Sequence, residues 1–215
     1  MNSLNVQSPP RTLPYRIVHR IIRDIKKIFG LESYLKNEDR LVLEHIVLPY
    51  FLSDKICHDI LFIGCHWYTR GYNKWFENGG KNYWTIEIDP SRKRYGAKQH
   101  IVDGMQAIGR HFDPGSLDLI LCNGVFGWGL DAKQDVEAAF EGCFNCLRPT
   151  GVLVIGWDDI DERRPFPLDQ CQSLRKFERF IFPPLAVATY VTATTYHHTY
   201  SFYARPMAAE RDLSR

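Results

Sequence analysis

A chain of 215 residues with 27 Lys and Arg against 25 Asp and Glu has a net charge of +2, too mild to recommend nucleic acid as a partner. Its 45% hydrophobic and 24% charged residues suit a globular protein, and the length suffices for one full α/β core. No run reaches transmembrane length, the N-terminus lacks the apolar segment of a secretory signal, and the six cysteines read as reduced thiols of a cytoplasmic protein.

The opening residues are punctuated by Pro9, Pro10 and Pro14 and read as loose. From Tyr15 to Gly30, Ile17, Ile21, Ile25 and Ile28 recur at helical spacing. Arg16, Arg20, Arg23, Lys26 and Lys27 occupy the other face. Such a basic amphipathic helix can contact a partner or an anionic membrane surface; the plainer reading is a helix packed on its own domain with a solvated face. A second helical stretch runs from about Asn37 to Leu52.

Strands follow. DILFIG, ending at Gly64, is a short buried strand, and NKWFENGG is a short helix or loop closed by a Gly-Gly turn. NYWTIEIDP is a second strand stopped by Pro90, AKQHIVDG a third, and GMQAIGRHF a helical connection. SLDLILCNGVF is the fourth strand. Helical periodicity then spans Asp131 to Leu147, LRPTG breaks it, and VLVIGW is the fifth strand. This alternation predicts an α/β fold: a Rossmann-like, mostly parallel twisted sheet with helices on both faces. A polar, proline-containing connection with one short helix runs from Asp158 to Leu185, and two β-rich segments within AVATYVTATTYHHTYSFYARP form a C-terminal antiparallel β-hairpin. The expected division is an N-terminal extension (1–55) whose helices pack on the core, a main domain (56–207) and a tail (208–215). Cys143 and Cys146 form a C-x-x-C pair without a second pair at zinc-site spacing, so buried thiols are the simpler reading.

Open parallel sheets bind ligands beyond the carboxyl ends of their strands. Glu87, at the tip of the second strand, is placed to accept from both hydroxyls of a ribose. Asp103-Gly104 ends the third strand, and Asp103 can accept from an amino group such as adenine's. Each acid alone could equally be a solvated loop residue or a cap; on successive strand ends they favour a nucleoside. The loop after the first strand, Gly64-Cys65-His66-Trp67-Tyr68, is poor in glycine and rich in aromatic rings. It lacks the Gly-x-Gly-x-x-Gly of a nicotinamide-dependent oxidoreductase.

In this order the pieces resemble a class I S-adenosylmethionine-dependent methyltransferase over about His58 to Pro206. ILFIGCHWY stands where that family has a strand and a glycine-rich loop, TIEIDP matches its acid-bearing second strand, and HIVDG its third. LDLILCNGVFGWG and CLRPTGVLVIG match the fourth strand and the turn into the fifth. The resemblance implies S-adenosyl-L-methionine as cofactor, without a metal. Its contacts would be Gly64, Cys65, Trp67, Tyr68, Glu87, Ile88, Asp103, Gly104, Asn123 and Gly124. The chain departs from the family at the first loop: members usually carry an acid where Phe62 stands and glycines where His66 and Tyr68 stand. Side chains there hold the backbone off a ligand and disfavour positive φ. Two readings stay open. The loop grips the cofactor with Trp67 or Tyr68 facing the sulfonium, or the domain is a catalytically silent scaffold that binds a partner. Retention of Glu87, Asp103 and Asn123 favours the first.

Methyl transfer needs an aligned nucleophile and often a proton acceptor. The candidates are His66 in the first loop, Asp158 after the fifth strand and His197 at the hairpin, while His198 reads as a structural residue of the last strand. Trp128 offers a flat wall beside Gly124, Gly127 and Gly129, with a tight turn and core aromatics as the competing reading. Arg163 could meet an acidic acceptor or pair with Asp161 and Glu162 on the surface. The expectation is an S-adenosylmethionine-dependent methyltransferase acting on a small-molecule acceptor, with oxygen as the acceptor atom.

Overall fold

Continuous apolar runs build a sheet that is buried on both faces. The structure, a computed structural model, describes Leu35 and residues 37–207. The basic helix expected from Tyr15 to Gly30 and the 208–215 tail lie outside the described residues. Strands β1 (Asp59–Ile63), β2 (Asn82–Glu87), β3 (Gln99–Val102), β4 (Leu117–Asn123) and β5 (Leu147–Asp158) are parallel. Strand β8 (His198–Ala204) runs antiparallel to β5 and is flanked by the short β6 (Glu178–Arg179) and by β7 (Thr189–Val191). The order is β3-β2-β1-β4-β5-β8-β6, with β7 also on β8. The winding therefore reverses between β1 and β4, and the β7–β8 pair is the antiparallel hairpin expected from the sequence.

Side chains alternate across the strands. Ile60 and Phe62 of β1 join Leu119, Leu121, Val154 and Phe202 on one face. Helix α1 (Glu38–Val42), a π-helical turn (Leu43–Val47), α2 (Leu48–Ser53) and α3 (Tyr72–Asn78) cover that face. Pro49 has no N–H for the helical ladder and its ring crowds the preceding turn, which accounts for the wide π turn just before it. The described part of the N-terminal extension is thus packed into the main core. Leu61, Ile63, Ile120, Cys122, Leu153 and Ile155 point the other way, against α4 (Lys133–Cys146). Cys143 and Cys146 lie in this second layer as buried free thiols.

Three local expectations change. LRPTG does not break the chain between helix and strand: β5 starts at Leu147, directly after α4, and its pairing with β4 is interrupted between Leu117 and Leu119. Thr150 takes a φ of +65°, while its N–H and the Gly151 carbonyl bond to Arg205, just past the end of the neighbouring strand β8. The intended turn has become a bulge because a partner strand satisfies it. The connection after β3 is a 3-10 helix, Met105–Arg110. The long segment after β5 holds two 3-10 turns, Leu168–Gln170 and Ser173–Lys176, instead of one helix. Among the described residues no helix is long and apolar enough to cross a membrane.

Candidate active site

The carboxyl ends of β1, β2, β3 and β4 open onto one cleft of about 210 Å³, at the point where the winding reverses. Gly64, Cys65, Tyr68, Glu87, Ile88, Asp103, Gly104, Asn123 and Gly124 all line it, and so do His66 and Trp128. Trp67 does not: its ring is 39% exposed and lies outside the lining.

Strand β1 ends in Gly64 at φ +90°, where a Cβ would come within 2.8 Å of Val125 Cγ2. This position therefore requires glycine. The chain then turns through Trp67–Thr69. Thr69 Oγ1 accepts from the His66 N–H at 3.1 Å and donates to the His66 carbonyl at 2.9 Å, closing the loop without further glycines. Glu87 ties this loop to the next. Its carboxylate is buried and accepts from the Cys65 N–H at 2.7 Å and the Asp89 N–H at 3.0 Å, one on each oxygen. Each oxygen retains a lone pair for a ligand hydroxyl. Burial pushes the Cys65 thiol up to about 12, so this residue contributes its backbone and a neutral side chain.

Within the loop, His66 stacks on Tyr68 with ring centroids 4.7 Å apart. The Arg40 guanidinium lies 4.1 Å from the Tyr68 centroid. A resident cation thus already engages the ring that the sequence offered to a sulfonium. Burial, then the charges of Arg92 and Arg40, lower the pKa of His66 and favour its neutral form. On the third strand end, Asp103 accepts from its neighbour Gly104 N–H at 2.8 Å and pairs with His111 Nε2 at 2.8 Å. These two hydrogen bonds hold its carboxyl below the usual range.

A polar chain runs behind the cleft from β4 to β8. Asn123 Oδ1 lies 3.2 Å from His198 Nε2, and His198 Nδ1 lies 2.6 Å from Asp158 Oδ1. Trp128 Nε1 donates to Asp158 Oδ2 at 2.9 Å. Burial works against the Asp158 carboxylate, but the His198 and Trp128 hydrogen bonds outweigh it and lower its pKa. Asp158 is therefore the acceptor and His198 Nδ1 the donor. The Nε2 side then donates to the Asn123 oxygen as imidazolium, or accepts from the amide N–H with the amide turned over. The chain crosses β5 at Gly156, where a Cβ would collide with Asn123 Oδ1 and His198 Nε2.

This arrangement reassigns the two histidines. His197 is exposed at φ +47° in the turn before β8 and does not reach the cleft. Its neighbour His198, read from the sequence as structural, is the inward residue, because consecutive residues entering a strand face opposite ways. Asp158 stands behind Trp128, outside the lining itself. Arg163 also stays off the lining and lays its guanidinium 3.7 Å from the Trp128 ring centroid. Arg164 is the surface partner, pairing with Asp159 and Asp161 at 2.7 Å each.

Two residues escaped the sequence reading. His111 holds Asp103 from eight positions away, across the 3-10 helix Met105–Arg110. Arg40 reaches the cleft from α1, and its only sequence trace is a charged pair, Arg40 and Glu44, at helical spacing on a face that turns out to be buried.

Comparison with known proteins agrees with this geometry. A family model described as a methyltransferase domain matches residues 62–155. No curated protein sequence matches the chain. Among solved structures, N-methyltransferase NodS from Bradyrhizobium japonicum WM9, in complex with S-adenosyl-L-homocysteine, is similar with a TM-score of 0.58 and 16% identity, over 90% of this chain and 99% of that one. A TehB-like SAM-dependent methyltransferase from Corynebacterium glutamicum is similar with a TM-score of 0.54 and 17% identity, over 88% of this chain and 98% of that one. Residues 62–155 thus match a methyltransferase domain, and the sheet that carries them has the fold of these two methyltransferases.

Proposed function

We propose that this chain is an S-adenosylmethionine-dependent methyltransferase that acts on a small-molecule acceptor at oxygen, with Glu87 and Asp103 holding the nucleoside of its cofactor. The observation that carries the reading is the buried Glu87 carboxylate, fixed by the Cys65 and Asp89 N–H groups at the mouth of the winding reversal. Such a preset acceptor suits a ribose diol. Asp103, kept ionised, suits the adenine amino group, and Ile88, 69% exposed on the cleft wall, supplies apolar surface for a base. Gly64, Gly104 and Gly124 leave backbone open to the ligand, and the Gly64 site is one that a Cβ would fill.

The bound cofactor supplies a methyl group already activated on a sulfonium. The chain's own residues align the acceptor and manage its proton. Trp128, braced by Arg163 and by its bond to Asp158, forms a rigid flat wall for the acceptor. Neutral His66 is the group that takes a proton from an acceptor hydroxyl. Asn123, held by His198 and Asp158, presents a fixed amide at the same opening. Trp67 serves the outer packing of the loop, and His197 has no part in the reaction.

Calorimetry with S-adenosylmethionine and S-adenosylhomocysteine tests the reading. Binding of both is expected. Folded protein that gives no heat with either would leave a silent scaffold as the better description.

A further inference from the structure

The loop after β4 and the segment after β5 are fastened to each other beside the cleft. Gly127 has a φ of +80°, and a Cβ there would collide with the Arg163 carbonyl oxygen, so only glycine lets the two backbones touch. Phe126 meets the Phe166 ring edge-on, with centroids 5.5 Å apart. Next to these contacts stands Trp128, half-exposed in the cleft lining, with its Nε1 held by Asp158 and the Arg163 guanidinium against its ring.

Arg163 is a cation among acids that are engaged elsewhere. Asp159 and Asp161 pair with Arg164, the two Asp158 oxygens are taken by His198 and Trp128, and Glu162 is exposed. Among the described residues no hydrogen bond or ion pair reaches the Arg163 guanidinium; its contact is the indole, 3.7 Å from the centroid. A guanidinium stacked on a ring keeps its five N–H donors in its own plane, at its edge, open to a partner. A carboxylate fits that edge with two parallel hydrogen bonds. We propose that Trp128 and Arg163 form a subsite for a planar, acidic acceptor, whose ring lies along the exposed surface of Trp128 and whose carboxylate sits on the free edge of Arg163. The inference rests on the methyltransferase reading and names the class of acceptor for it. The carboxylate is the handle that orients the acceptor; the hydroxyl whose proton passes to His66 is a separate group. The amino-acid carboxylate of the cofactor offers the same chemistry, but Arg163 stands on the β4–β5 side of the cleft, away from Glu87 and Asp103 at β2 and β3.

Calorimetry on protein saturated with S-adenosylhomocysteine, so that the cofactor's own carboxylate is already in place, tests the subsite. It compares benzoate, 4-hydroxybenzoate and 2-naphthoate with their carboxamides, which keep the ring and lose the charge. The acids are expected to bind about five- to tenfold more tightly than the amides, the low end for charge-assisted hydrogen bonds because Arg163 is only half-buried. Arg163→Met should bring each acid within about twofold of its amide. The bond from Trp128 to Asp158 still holds the ring in that variant, so the amides should change little. Arg163→Lys should keep part of the preference, and Trp128→Leu should weaken acids and amides alike. Equal losses for acids and amides in Arg163→Met would make Arg163 a mere brace for the indole and overturn the subsite. So would a preference for acids retained in folded Arg163→Met, or a loaded wild type that binds none of these ligands or does not prefer the acids. Acids that bind the free protein and are displaced by S-adenosylhomocysteine would give the carboxylate site to the cofactor and also overturn it. A wild type that does not bind S-adenosylhomocysteine at all is a different outcome, the failure of the methyltransferase reading itself.

Discussion

Replacing Glu87 by glutamine exchanges one carboxylate oxygen for an amino group at nearly constant shape. In the native site the two oxygens accept from the Cys65 N–H at 2.7 Å and the Asp89 N–H at 3.0 Å. Glutamine can serve one of these donors; the other then faces an NH2 and loses its partner. An unsatisfied buried donor costs about 1–3 kcal/mol, so Glu87→Gln should lower folding stability by about that amount, read from urea unfolding. The same change removes a charged acceptor from the ribose, worth about 1.5–3 kcal/mol, or about ten- to a hundredfold in affinity for S-adenosylhomocysteine. The 2′-deoxy form of that ligand separates the two losses. Wild type should bind it more weakly than the parent, whereas Glu87→Gln should hardly distinguish them. A folded Glu87→Gln protein with unchanged affinity, or with the 2′-hydroxyl preference intact, would refute the role given to this carboxylate.

Gly156→Ala should cost about 1–3 kcal/mol of stability, because its Cβ collides with Asn123 Oδ1 and His198 Nε2; an unaltered thermal midpoint would show that the chain from Asn123 to Asp158 has room to spare. Tyr68→Ala should weaken S-adenosylhomocysteine binding and Trp67→Ala should not, since only Tyr68 lines the cleft; equal effects in calorimetry would contradict this. His66 has its pKa lowered from 6.5 by burial and nearby arginines, so in an NMR titration its ring should titrate below 6.5. Stability from its neutral form is then full above 6.5 and lost as the pH falls through its folded pKa, a dependence that His66→Asn should remove. Arg148→Met breaks ion pairs to Asp59 at 2.8 Å and Asp118 at 2.9 Å, at the edge of the sheet opposite the cleft. It should reduce stability by about 1–3 kcal/mol and leave ligand affinity unchanged.

The strands and their order of use were legible because their signals are local. ILFI, TIEI and LDLILC are apolar runs that suit strands buried on both faces, and Pro90 stops the second strand just beyond Glu87. A residue at the end of such a run falls at the carboxyl edge wherever the strand sits, so Glu87, Asp103 and Asn123 could be placed before any contact was known. The partners of those residues could not. His198 rather than His197 faces inward because pairing with β5 sets the register of β8, and a one-residue shift would exchange them. LRPTG, a sound turn by its own chemistry, became a bulge because Arg205 bonds to Thr150 and Gly151. Tyr68 enters the cleft and Trp67 leaves it through the pitch of a single 3-10 turn. Arg40 meets Tyr68 only because α1 docks on the end of the sheet through Tyr200 and Ala193. Hydrophobic period and turn chemistry act over a few residues and survive in any context, whereas these pairings join groups far apart along the chain. They exist only once the packed core has brought such groups within hydrogen-bonding distance, where a tenth of a nanometre decides which of two neighbouring side chains takes part.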